Sequence, residues 1–257
     1  MLDQGRYQRV LWQKQRRGQI AEAAAAGGVV VLPTGAIEQH GPHLPLDTDS
    51  WSSTAISLRA AEQVEQFPVL VLPPIWWGLS PYWMVFPGTI TLRPETLLDV
   101  IHDICRSVAQ HGFRKLAIVN GHGGNDGLIQ AAAIKASDQD LHVVSLSYWN
   151  LSLDLMREMS SRDPGTIGHA GEMETSIQLH LQPECVDLES VTEEQCLDLV
   201  AHPDLGGGAV FLPPNPRVES PHGVYGQARA GTREIGERMV RVTAQRLADL
   251  LVQFHAS

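Results

Sequence analysis

The sequence predicts an α/β fold: three layers, with a mainly parallel central sheet and helices on both faces. Short, largely apolar runs at 29–33, 69–72, 116–119 and 143–146 are the first observation behind this reading. A strand covered on both faces needs apolar side chains at successive rather than alternate positions. Helix-forming stretches separate the runs, and strands that alternate with helices assemble mainly parallel sheets through crossover connections. The third observation is that the chemically interesting residues follow the strand ends, where ligands bind in such sheets.

Residues 21–26 are alanine-rich, a strong helix former, and the pair Gly27-Gly28 ends that helix, with the second glycine expected in the left-handed cap. The strand at 29–33 follows. Residues 50–64 suit a helix and 69–72 a strand. An amphipathic helix is expected over 95–111, with Leu97, Ile101, Ile104, Cys105 and Val108 on one stripe and Gly112 as its cap. After the strand at 116–119 come a helix at about 125–137, a strand at 143–146, and helices at 172–181 and about 232–254. The Pro- and Gly-rich stretch from His202 to Gly226 is long for an interior loop and reads as a lid or a subunit contact. No repeat, low-complexity tract or linker divides the 257 residues, so one domain spanning 1–257 is expected.

Composition narrows the partners. A formal charge of -10 argues against nucleic acid and anionic membranes, because phosphate binding draws its affinity from Lys and Arg. Cys105, Cys185 and Cys196 lie far apart without C-x-x-C spacing, which suggests reduced, mostly packed thiols rather than a disulfide framework or zinc knuckle. The N-terminus has no charged stretch followed by an apolar run and a cleavage site, so a cytoplasmic location is the expectation.

Three clusters carry the chemistry. The first strand runs into Glu38-Gln39-His40-Gly41-Pro42-His43-Leu44-Pro45-Leu46-Asp47-Thr48-Asp49, a loop rich in the imidazole and carboxylate ligands that suit zinc, manganese or iron. Glu38 and His40 are two apart, so in extended backbone they point to one side. The third strand runs into Asn120-Gly121-His122-Gly123-Gly124-Asn125, where small neighbours let the imidazole approach a metal. This glycine-rich turn matches neither phosphate-binding pattern. The last cluster, Gly168-His169-Ala170-Gly171-Glu172-Met173-Glu174, opens a helix, and there the acidic pair has a second reading as partners of the helix dipole. Gly78-Leu79-Ser80-Pro81-Tyr82 fails the nucleophile-elbow pattern at its last position. Trp76, Trp77, Tyr82 and Trp83 crowd one stretch that reads either as a substrate pocket or as an oligomer interface.

The blocks GAIEQHG at 35–41, FPGT at 86–89, NGH at 120–122, SYW at 147–149 and HAGEMETS at 169–176 together resemble the creatininase (creatinine amidohydrolase) family. The resemblance implies a three-layer α/β domain, two divalent metal ions per subunit (zinc or manganese, with iron an option), a small-molecule substrate, and a homo-oligomer, often a hexamer. It implies an amidohydrolase: a metal-bridging hydroxide attacks a non-peptide C–N bond of a small amide, lactam or formamide. Hydrolysis of an oxidised inositol-type cyclic ketone is the alternative within the family, and a metal-free binding or structural oligomer subunit the alternative outside it. Carried over by residue, Glu38, Asp49 and His122 hold one ion, and His40 with Asp49 the other. Creatininase completes the second ion with a Glu two residues after the NGH histidine; here that position is Gly124, and Glu172 is expected to replace it. His169 takes the place of the proton-transferring His, with Glu172 beside it as a catalytic carboxylate. Trp149 is expected as a pocket wall or a core residue, and Ser80, Tyr82 and Trp83 as substrate contacts.

Overall fold

A computed structural model of the chain describes residues 5–137, 140–161, 168–196 and 220–257. Four parallel strands, β1 (Val29–Thr34), β2 (Val69–Val71), β3 (Lys115–Asn120) and β4 (His142–Ser147), form a sheet in the order β2-β1-β3-β4. The helices are α1 (Arg17–Ala25), α2 (Thr48–Gln63), α3 (Pro94–Gln110), α4 (Asp126–Ala136), α5 (Leu153–Met159), α6 (Glu172–Leu181) and α7 (Arg233–Ala256).

Alternation along the strands separates two apolar layers. Val29 and Val31 of β1, with Ala117 and Val119 of β3, point into a core built with α2, α6 and α7. Their neighbours Val30, Leu32, Leu116 and Ile118 point the other way, toward α1, α3 and α4. On α3 the expected stripe is the packed face: Leu97, Ile101, Cys105 and Val108 are buried and Ile104 is partly so. Cys196 is also buried, whereas Cys185 is exposed. At the end of α1 the left-handed residue is Gly27, at φ 72°, not Gly28. Gly28 is instead a point of close approach, where a Cβ would crowd the Pro68 and Ala23 carbonyls.

The strand order decides where a ligand can sit. From β1 the chain goes to β2 on one side and then to β3 on the other, so the carboxyl ends of β1 and β3 flank the crevice where the connections diverge. Thr34 and Asn120 pair there, and Thr34 Oγ1 donates to Asn120 Oδ1 at 3.1 Å. Most of the stretch read as a lid or subunit contact, 202–219, lies outside the described residues. Its described end packs onto the crevice: Gln39 Nε2 donates to the Gly223 carbonyl at 3.0 Å, and Tyr225 N–H donates to the His169 carbonyl at 2.7 Å.

Candidate active site

Each side chain of the crevice is delivered by a local device. Beyond β1, Glu38 N–H donates to the Leu46 carbonyl at 3.0 Å and Gln39 N–H to Thr89 Oγ1 at 3.1 Å, which fixes the GAIEQHG segment to the FPGT segment. His40 Nδ1 lies 3.1 Å from the Glu38 carbonyl oxygen, two residues back, so Nδ1 carries a proton and Nε2 is the nitrogen that turns inward. Asp49 stands in the first turn of α2, whose positive end favours a carboxylate. That turn lies hard against the sheet, and a side chain at Gly121 would run into the Asp49 carbonyl oxygen. Asn120 organises the end of β3: its Oδ1 accepts from the His122 N–H at 3.1 Å, and its Nδ2 donates to Asp126 Oδ1 at 3.0 Å.

These devices bring the three sequence clusters together. His40 Nε2 is 3.0 Å from Asp49 Oδ1; His122 Nδ1 is 3.1 Å from Asp49 Oδ2 and 3.3 Å from Glu38 Oε1. His169 Nδ1 is 3.4 Å from Glu38 Oε1. Yet both Glu38 oxygens, His40 Nε2 and Asp49 Oδ2 are buried without a hydrogen-bond partner. Burying carboxylate oxygens unpaired is expensive, and close approach without hydrogen-bond alignment is what donor atoms show when they converge on a shared cation. Ligands about 2.0 to 2.2 Å from a tetrahedral ion stand roughly 3.3 to 3.6 Å from one another. Ligand atoms of Glu38, Asp49 and His122 lie within 4.8 Å of one another, as do those of His40, Asp49 and Glu174, so two groups share Asp49. The residues fit a pair of divalent ions. A third set, Glu38, His40 and His169, meets the same distance limit.

The electrostatics agree with a charge-dense, water-poor site. Burial pushes the Glu38 carboxyl up, with the Asp49 charge adding to it and His122 opposing. Burial would lower His40 and His122, but Asp49 beside the first and Glu38 beside the second hold both well above the usual imidazole value. Asp49 stays well below the usual carboxylate range because His40 and His122 outweigh its burial. His169 lies well below the ordinary value, through burial first and then the positive charge of His40, and remains neutral. His43 is lowered to about 4, again by burial and then by His40, while its Nε2 contacts Thr175 Oγ1 at 2.9 Å.

The expected ligand of the second ion stands apart. Glu172 is outside the cluster: its carboxylate accepts from Ser161 N–H at 3.0 Å and Ser161 Oγ at 2.9 Å. Glu174 faces His40 Nε2 instead, at 3.8 Å, and also accepts from the Ala170 N–H. Two positions apart on α6 is about 200° of rotation, so only one of the pair can face the crevice. The signal for Glu174 was in the sequence, in the HAGEMETS block, but nothing local says which carboxylate the helix turns inward. Ala170, with φ 55°, holds a left-handed conformation rare for a residue bearing a Cβ, at the turn that presents both His169 and Glu174.

The expected substrate contacts separate. Trp83 is buried and stacks on His169, with ring centroids 4.2 Å apart, so it supports the imidazole from behind. Ser80 is fully buried with Oγ 3.1 Å from His122 Nε2. Trp149 packs half-buried against the core of the α2, α6 and α7 layer, edge-on to Tyr148. Tyr82 is half-buried with its hydroxyl 3.4 Å from His122 Nε2, and burial together with nearby carboxylates pushes the phenol up to about 12 against the pull of His122. The same short 3-10 turn, Pro81–Val85, turns Met84 and Val85 outward, and both are exposed together with Trp77.

Known proteins resemble this chain in sequence and in fold. A family model described as creatinine amidohydrolase matches residues 13–251. A creatinine amidohydrolase from Pseudomonas putida is 33% identical over 252 residues, covering 90% of this chain and 91% of that protein. A mycofactocin precursor peptide peptidase from Mycobacterium ulcerans (strain Agy99) is 32% identical over 219 residues, covering 82% and 79%. A 3-dehydro-scyllo-inosose hydrolase from Thermotoga maritima is 27% identical over 261 residues, covering 94% and 82%. A solved structure described as creatininase Mn superposes with a TM-score of 0.80 at 30% identity, over 95% of this chain and 98% of its own. A creatininase variant of Zn-Zn type gives 0.80 at 31%, with the same coverage. A match along almost the whole length, together with a fold shared at this similarity, identifies the family: the chain belongs to the creatininase family.

Proposed function

We propose that the chain is a dinuclear-metal amidohydrolase that cleaves a non-peptide C–N bond of a small amide, lactam or formamide. The observation that carries this reading is the pair of ligand groups joined through Asp49, in which both Glu38 oxygens, His40 Nε2 and Asp49 Oδ2 are buried without a hydrogen-bond partner. Glu38, Asp49 and His122 would hold one ion, and His40, Asp49 and Glu174 the other. Zinc and manganese are the candidates, since relatives in the family are described with each. Bound there, the pair would lower the pKa of a shared water toward about 7 and polarise the substrate carbonyl.

The chain's own groups supply the rest. We place the His169 proton on Nε2, toward the Gln39 carbonyl oxygen at 2.8 Å, which leaves Nδ1 facing Glu38 as a free base. Nδ1 takes the proton released as water attacks and returns it to the departing nitrogen, which leaves as a neutral amine. Trp83 at the back of the ring and the Gln39 carbonyl at its far nitrogen fix that orientation. Burial disfavours protonation of the imidazole between turnovers.

Metal analysis joined to a panel of amides, lactams, formamides and cyclic ketones tests the reading. We expect two divalent ions per chain and turnover within the first three classes. Turnover of the ketone alone would favour the chemistry named for the Thermotoga maritima relative. A chain that takes up no metal, with thermal stability indifferent to chelator, would make it a binding or structural subunit. This ligand set has its own test. Glu174→Gln should reduce bound metal from two ions toward one, whereas Glu172→Gln should keep both; the reverse pattern restores Glu172 as ligand. A homo-oligomer, hexameric by analogy with the family, and a cytoplasmic location complete the proposal, and mass measurement in solution checks the first.

A further inference from the structure

Tyr82 and Gly124 compete for one volume. A Cβ on Gly124 would stand 2.6 Å from the Tyr82 hydroxyl oxygen and would also collide with the Leu79 carbonyl and the His122 ring. The 79–82 turn therefore fills the space that any side chain at 124 would need. It brings a phenol to the edge of the Glu38, Asp49 and His122 group.

The state of the imidazole decides what this phenol can do. His122 aims Nδ1 at Glu38 and Asp49, so if it binds an ion through Nδ1 its proton is on Nε2. The Leu79 carbonyl, which can only accept, lies 3.0 Å from that Nε2–H. Ser80 Oγ and the Tyr82 oxygen lie at 3.1 and 3.4 Å from the same nitrogen. A nitrogen that carries its proton accepts nothing, so the hydroxyl protons point elsewhere. Ser80 is fully buried, while Tyr82 is half-buried at the crevice.

We infer that the Tyr82 O–H donates a hydrogen bond to the carbonyl oxygen of the substrate, and that the Tyr82 and Gly124 pair selects neutral carbonyl compounds. With glycine at 124 no carboxylate competes for that space, and the neutral donor that fills it favours an oxygen acceptor over a cationic group. This rests on the hydrolase reading above.

The test is Tyr82→Phe, which keeps the ring that packs on Trp83. Metal content is measured first, and then calorimetric binding of 2-pyrrolidinone, a small neutral lactam, to the metal-loaded protein. We expect unchanged metal content and a Kd weakened by about tenfold or more, the usual scale of one lost hydrogen bond in a desolvated site. An unchanged Kd in the metal-loaded variant overturns the inference, as does a wild-type protein that carries metal but fails to bind the probe. Loss of metal in the variant also overturns it, by making Tyr82 a positioning residue for His122. A wild-type chain that takes up no metal would remove the hydrolase reading itself, and this inference with it.

Discussion

Asp49→Ala should abolish both metal sites at once. Each carboxylate oxygen has its own histidine, Oδ1 with His40 at 3.0 Å and Oδ2 with His122 at 3.1 Å, so the side chain belongs to both ligand groups. Removing it leaves each group with two protein ligands, too few for tight binding of zinc or manganese. Bound metal should fall from two ions per chain to less than one. Turnover of the best panel substrate should fall by about 10³-fold or more, because several kcal/mol of charge stabilisation at about 1.4 kcal/mol per decade is at stake. Asp49→Asn is the companion variant: it keeps the shape but not the charge, and should lose metal in the same direction. A variant that retained one ion in full occupancy would show that Asp49 serves a single site and that the ions are not joined through it.

His169→Ala should separate chemistry from metal binding. If its Nδ1 moves the proton, the loss falls on kcat, by about 10² to 10⁴-fold, while metal content and KM stay near those of the wild type. The ring also lies between His40, at 4.3 Å between centroids, and Trp83, at 4.2 Å, so alanine leaves a gap in the packing. His169→Gln, which refills part of that gap and cannot relay a proton at neutral pH, controls for this and should be equally slow. Recovery of turnover in the Gln variant would make the role one of packing. Loss of an ion in either variant would instead make His169 a metal ligand in the set it forms with Glu38 and His40.

The site was legible in the sequence where position along the chain fixes direction. Glu38 and His40 sit two apart just beyond β1, and His122 just beyond β3, so the strand ends alone aim them at one crevice. Glu172 and Glu174 are the opposite case. Both occupy the first turn of α6, both suit its dipole, and choosing between them requires the rotation of that helix about its axis. That rotation is set by packing far from the crevice: Met173 and Ile177 are buried in the α2 and α7 layer, and α6 touches α7 so closely that a side chain at Gly236 would strike the Ser176 backbone. The aromatic stretch at 76–83 was ambiguous for a similar reason. A short 3-10 turn faces Tyr82 and Trp83 toward the imidazoles and Met84 toward solvent, and composition carries no record of that division.

By itself the sequence determined the α/β class, the four strands and the strand ends at which the His and acidic clusters follow, because hydrophobic period and strand-end position are local properties of the chain. Only the tertiary structure decided which carboxylate of α6 faces His40, the backing of His169 by Trp83 and the exclusion of a side chain at Gly124 by Tyr82. Each of these depends on how elements distant in sequence lock against one another, and close packing fixes that choice through contacts that no single segment contains.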